Sequence, residues 1–198
     1  MEEVTYDEML EMASLGAKVL HSRCVEIAKK YGVELLVCSS LNRNSGTMVR
    51  EKTKMEKMLI SGVAADKNVA KIRVAGLGND PESTFRLLNL LDRNNLNIDV
   101  MIQSLGKDGT KSVSFTVAKP DMLRTIDVLN DNKDLLGIKK LDYDENVAKI
   151  SVIGAGVRSH SGVAAKMFGA LANAGINTEM VTRSEERRVG KECLRLCR

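Results

Sequence analysis

From residue 66 to residue 182 the chain alternates between two hydrophobic rhythms, one of period two and one of period three to four, and the sequence of rhythms begins twice. Ala70, Ile72, Val74 and Gly76 interleave with Lys71, Arg73 and Ala75, which predicts a strand with one face buried. After a loop holding Asn79 and Asp80, the residues Phe85, Leu87, Leu88, Leu90 and Leu91 recur at helical spacing and predict one buried helical face. Pro81 suits the first turn of that helix, where its missing N–H costs nothing. Ile98, Val100 and Ile102 predict the next strand, Gly106 to Gly109 a turn, and Val113, Phe115 and Val117 its hairpin partner. Pro120 and Asp121 open a second helix carrying Met122, Leu123, Ile126, Val128 and Leu129, and a last strand is expected near Ile138 to Leu141. Strand, helix, strand, strand, helix, strand specifies an antiparallel sheet with both helices on one face, the ferredoxin-like arrangement of the α+β class.

The second beginning is written almost in the same letters. Asp-Lys-Asn-Val-Ala-Lys-Ile at 66–72 returns as Asp-Glu-Asn-Val-Ala-Lys-Ile at 144–150, an offset of 78. Beyond the next glycines the offset becomes 80, pairing Leu91 with Leu171, Asn97 with Asn177 and Asp99 with Glu179, so the extra residues fall in a loop between strand and helix. Ala148, Ile150, Val152 and Gly154 predict a strand, Gly162 to Asn173 a helix, and a further strand is expected from Asn177. The match stops near Thr182. Residues 144–182 therefore read as a truncated second unit, whose sheet lacks a hairpin strand, a helix and an edge unless another chain or a continuation supplies them. Residues 183–198 are expected to be a non-native tail, the alternative being a short basic amphipathic extension.

Upstream of the repeats the pattern differs. Thr5 and Glu8 fit a capping box, so a helix should start near Tyr6. Leu20, Cys24, Ile27, Ala28 and Tyr31 predict one apolar helical stripe, with Gly32 placed to end it, and Leu35 to Cys38 a short buried strand. From Asn42 to Lys57 the chain turns polar, which suggests a boundary.

Composition narrows the classes. The chain is 43% hydrophobic and 28% charged, within the range of globular proteins. No apolar run approaches the roughly 20 residues of a membrane helix, so a cytoplasmic protein without a membrane partner is the expectation. The net charge of +4 comes mostly from residues 183–198, which hold six basic and three acidic side chains. With no basic face left elsewhere, and only three tyrosines, three phenylalanines and no tryptophan, nucleic acid is not an expected partner. Cys24, Cys38, Cys193 and Cys197 show no metal-ligand spacing with histidine, and Cys24 and Cys38 are expected to be buried free thiols. Gly154 and Gly156 before a helix hint at a dinucleotide loop, but Gly162 comes too late for its third glycine. His160 has no cysteine or paired carboxylate near it in sequence, and no catalytic role or metal site is assigned.

Gly16-Ala17-Lys18-Val19-Leu20-His21, Ser39-Ser40 and Gly46-Thr47 resemble the end of the catalytic domain of aspartate kinases. The later part of the chain resembles their paired regulatory ACT domains: Ile60-Ser61-Gly62-Val63-Ala64, Gln103-Ser104, Asp108-Gly109-Thr110, Ser114-Phe115-Thr116-Val117, Arg158-Ser159-His160, and Gly162-Val163-Ala164-Ala165-Lys166-Met167-Phe168. The resemblance implies a remnant of an α/β amino-acid-kinase domain with its linker at 1–52, a first ACT domain at 57–143, and a partial second ACT domain at 144–182. It implies a parent enzyme that transfers a phosphoryl group from ATP, with Mg, to the side-chain carboxylate of aspartate on the way to lysine, threonine and methionine. The nucleotide motif Lys-Phe-Gly-Gly-Thr of that family is absent, so no cofactor and no catalytic residue are expected in this chain. The implied partners are an amino-acid effector (lysine, threonine or methionine) and an ACT-mediated homodimer or a catalytic subunit. An alternative is a separately expressed, non-catalytic regulatory subunit.

An amino acid needs donors for its carboxylate and acceptors for its ammonium where water is largely excluded, and a loop at the start of a helix supplies the first of these. By resemblance, Asn79, Asp80, Asn97, Ile98 and Gln103 contact the effector. Arg158, Ser159, His160 and Asn177 form a possible second effector site or dimer contact. Glu82 stands where the family has glycine, a side chain expected to crowd the loop or repel a ligand carboxylate.

Overall fold

The computed structural model describes residues 2–17, 19–41, 46–51, 60–154 and 162–182. Lys18, the expected boundary over most of 42–57, the segment with Arg158, Ser159 and His160, and the tail with Cys193 and Cys197 lie outside these residues.

Strand β1 (Glu3–Thr5) leads directly into helix α1 (Tyr6–Ser14) through the expected capping box. Thr5 N–H donates to Glu8 Oε2 at 3.0 Å while Glu8 N–H donates to Thr5 Oγ1 at 3.3 Å, so each residue satisfies a backbone donor the helix start leaves free. Helix α2 (Ser22–Tyr31) ends at Gly32 in the left-handed conformation, φ 64°, as expected. Strand β2 (Leu35–Val37) pairs antiparallel with β3 (Thr47–Arg50), and β3 pairs parallel with β1, so part of the segment read as a polar boundary is the central strand of a sheet. Val4, Tyr6, Met9, Val25, Ala28 and Val49 form the core of this part.

Three expectations fail here. Strand β2, expected to be buried, has Leu36 61% exposed and Leu35 and Val37 only half-buried. The buried face of α2 is Val25 and Ala28, whereas Ile27 and Tyr31 are 50% and 69% exposed. Cys24 and Cys38 are exposed rather than buried. Apolar residues occupy two sides of this helix, and period alone does not say which side meets a neighbour.

The first repeat forms the expected ferredoxin-like unit. Its four-stranded sheet comprises β5 (Val69–Leu77), β6 (Met101–Leu105), β7 (Lys111–Ala118) and β8 (Lys140–Asp144) in the order β6-β7-β5-β8, each neighbour antiparallel. Ile72, Val74, Val113, Phe115 and Val117 line one face, against Leu87 and Leu91 of α3 (Pro81–Arg93) and Met122 and Leu129 of α4 (Met122–Asp131). A short helix α5 (Lys133–Leu136) closes the core with Leu136. Phe85 and Leu123, expected inside, are 64% and 66% exposed because they fall at the margins of stripes that Leu87, Leu91 and Leu129 centre. The strand expected from Ile98 begins at Met101, and the strand expected from Ile138 begins at Lys140.

The second repeat contains β9 (Lys149–Ile153) and helix α6 (Gly162–Asn173), the helix with the expected bounds. No strand forms at Asn177: residues 176–182 lie beside no hydrogen-bonding neighbour strand among the described residues, and a strand exists only as part of a ladder. Among the described residues, β9 finds its neighbouring strand upstream of both repeats. It is β4 (Gly62–Asp66), upstream of the first repeat, which pairs antiparallel with β9 and sets Asp66 opposite Lys149. Helix α1 lies against β4 and β9, and the Ser61 hydroxyl donates to Glu8, so the part before the repeats is tied to the second unit.

Candidate functional site

The loop between β5 and α3 is shaped by close approaches. Gly76 has φ 93° at a bulge in the β5–β7 ladder, and a Cβ there would stand 2.5 Å from Cβ of Lys139. A Cβ on Gly78 would stand 2.5 Å from Oδ2 of Asp80. These glycines let the chain turn sharply enough for Asp80 to cap α3. Ser83 N–H donates to Asp80 Oδ1 at 2.8 Å and the Ser83 hydroxyl donates to Oδ2. The hydroxyl contact chiefly holds the Asp80 carboxyl below the usual carboxylate range.

Two further residues, unmarked in the sequence, complete this corner. Lys111 Nζ donates to the Asp80 carbonyl at 2.7 Å, and Thr84 Oγ1 donates to Gln103 Oε1 at 2.8 Å. The second bond ties the first turn of α3 to β6 and leaves the Gln103 amide N–H groups to donate. Ser83 could have been found from its place three residues after a capping aspartate. Thr84 and Lys111 meet their partners only through the fold. The Glu82 carboxylate accepts from Arg86 Nη2 at 2.8 Å, one helical turn on.

Asn79, Asp80 and Gln103 are exposed at this end of the unit. Asn97, exposed, and Ile98, half-buried against the core, are at the other end. They follow α3, which is about 20 Å long, and the neighbouring Asp99 N–H donates to Thr116 O, level with Lys71 near the start of β5. One copy of the chain therefore brings together Asn79, Asp80 and Gln103 but not Asn97 and Ile98. Asn177 is exposed, its Oδ1 accepting from Thr178 N–H at 3.1 Å.

The corner offers a carboxylate (Asp80) as acceptor and the Lys111 ammonium, Asn79 and Gln103 amides as donors, a set suited to a zwitterion. Its cap also makes a pH prediction. Because the Asp80 carboxyl is depressed in the fold, its contribution to stability is fully present above the ordinary value near 3.8 and is lost as pH falls through the lower folded value. Asp80→Ala should lower the urea midpoint at pH 7, and the difference from the parent chain should shrink below pH 4. A difference that stays constant down to pH 2 would overturn the capping role.

A family model described as an ACT domain matches residues 150–189. An aspartokinase of Bacillus sp. (strain MGA3) is 41% identical over 186 residues, covering 93% of this chain and 45% of its own length. The chain thus spans about half the length of the curated relatives it matches. Among solved structures, one of aspartokinase alpha and beta subunits is 40% identical with a TM-score of 0.59, covering 64% of this chain and 82% of that chain. A regulatory subunit of aspartate kinase from Thermus flavus is 30% identical with a TM-score of 0.59, covering 64% and 83%.

Proposed function

This chain belongs to the aspartate kinase family and forms a regulatory portion of such an enzyme, and on that premise we propose that it binds a free amino acid as effector at the start of α3 and transmits occupancy to a catalytic domain. The reading rests on the corner where Asp80, Gln103 and Lys111 set an acceptor and donors side by side at a helix N-terminus. Asn97 and Ile98 join that corner from a second copy. A two-fold axis that sets β6 beside β6 antiparallel brings the Asn97 end of one unit to the Asp80 end of the other. The open edge of β6, with Met101 and Leu105 exposed, is suited to that contact.

In this reading residues 1–52 are the remnant of the catalytic domain with its linker, 57–143 the first ACT unit and 144–182 the second, with β4 exchanged into the second sheet. ATP and Mg act in the catalytic domain, which transfers phosphate to aspartate, and neither is expected to bind this chain. The resemblance implies lysine, threonine or methionine as effector, and the contacts proposed do not choose among them because they recognise groups common to all three. No described helix is long and apolar enough to cross a membrane.

The test is Gln103→Ala in a full-length enzyme carrying this region. Loss of one hydrogen bond to a charged group should raise the effector concentration for half-inhibition about tenfold, with the effect confined to inhibition. Equal loss of activity and inhibition would sink the proposal. A second reading, a separately expressed regulatory subunit with a catalytic partner chain, is favoured by the 82–83% coverage of the solved subunit chains. The roughly one third of this chain that those subunits leave unmatched favours the first.

A further inference from the structure

Lys71 pairs with Glu179, and Lys149 pairs with Asp99. Lys149 is the repeat of Lys71 at offset 78, and Glu179 is the repeat of Asp99 at offset 80. Each lysine of one repeat thus holds the acid of the other, and exchanging the repeats maps one ion pair onto the other. Strand pairing follows the repeat as well: β8 completes the first unit by pairing with β5, while its equivalent at offset 78, β4, precedes the first repeat yet pairs with β9 of the second. The registers agree to the residue: Lys71 stands opposite Asp144, and Lys149 opposite Asp66.

The two lysine side chains are only 23% and 15% exposed, so each pair is anchored on the less solvated partner. The acids sit where they matter for binding. Asp99 directly follows Asn97 and Ile98, on backbone pinned by bonds between Asp99 N–H and Thr116 O (3.1 Å) and between Val100 N–H and Thr116 Oγ1 (3.1 Å). Glu179 follows Asn177 at the equivalent place.

We infer that the crossed pairs Lys71–Glu179 and Lys149–Asp99 are a reciprocal latch: the first strand of each repeat positions the candidate binding segment of the other, so that the two segments, 97–100 and 177–179, are coupled. Coupling between two sites requires an element that both bias, and the lysine-bearing strands β5 and β9, each carrying the residue that holds the other repeat's acid, provide it. Lys71 and Lys149 are positioning residues in this scheme. The latch itself stands on the ion pairs and the repeat arithmetic. Only its use in effector response rests on the function proposed above.

Hydrogen exchange on the full chain, with no amino acid added, tests the latch apart from any effector. Lys149→Met should speed exchange at Asp99 and Val100 about two- to fivefold, the range expected for a partly exposed ion pair, and Lys71→Met should do the same at Ile176 to Glu179. The reversed pair Lys149→Asp with Asp99→Lys should restore the slower rate at residues 99 and 100. Acceleration confined to the mutated strand, spread equally over β7 and α4, or not rescued by charge reversal would overturn the inference. Any of those results leaves the effector proposal standing.

Discussion

Phe115→Ala is expected to reduce the unfolding free energy by about 3–5 kcal/mol, the largest effect expected of a single substitution in this chain. Phe115 is fully buried in β7, between Ile72 of β5 and Met101 of β6, and sits in the cluster that α3 and α4 cover. Removing the ring takes away its burial and leaves a cavity in a layer clamped by hydrogen-bonded strands on both sides, which has little freedom to collapse. Domains are stable by only about 5–15 kcal/mol, so the first unit should unfold at markedly lower urea, as followed by circular dichroism. The loss should be local: amides of β5 to β8 should exchange faster, while those around Val4, Val25 and Val49, in a separate core, change little. Phe85→Ala is the control. At 64% exposure it should move stability by no more than about 0.5 kcal/mol. A cost for Phe115→Ala below about 1 kcal/mol would mean that this sheet is not packed as described.

The second large effect is stabilisation by ligand. At a hundred times its dissociation constant an effector adds about 2.7 kcal/mol to the state that binds it, which for a chain of this size raises the melting temperature by about 5–10 °C. Lysine, threonine and methionine should be tried separately on the full chain, and a shift with one of them names the effector. In the proposed two-copy site, where Asn97 and Ile98 come from a second copy, the shift should grow with protein concentration. A shift independent of concentration would place the whole site in one chain and overturn the two-copy site. No shift with any of the three, in a sample whose circular dichroism shows it folded, would mean that this chain does not bind an effector unaided.

Much of the architecture was legible from local signals, because local signals have local causes. Thr5 with Glu8, Gly32 after α2 and Pro81 at the start of α3 all follow from the chemistry of helix ends, which involves residues within one turn of each other. The repeat at 66–72 and 144–150 announced a doubled unit, and period-two runs marked the strands β5, β7 and β9 before any pairing was known. Asn79, Asp80 and Gln103 are implied by the resemblance to aspartate kinases, and only the placing of a zwitterion's carboxylate at a helix start after a strand follows from general chemistry.

Pairing and coverage were decided only in three dimensions. A strand's alternation says that one face is buried, but not which strand lies alongside, since backbone donors and acceptors are the same in every strand. Hence β4, adjacent in sequence to β5, joins β9 instead, and Asn177 starts no strand because no described strand lies beside it. A helix with apolar residues on two sides does not say which side is covered, so Cys24, Ile27 and Tyr31 lie outside while Val25 lies within. The crossed pairing of Lys71 with Glu179 and of Lys149 with Asp99 depends on side chains 108 and 50 residues apart. Repeat arithmetic shows that those four residues are equivalent in pairs, and only the placement of one unit against the other shows that the pairs cross.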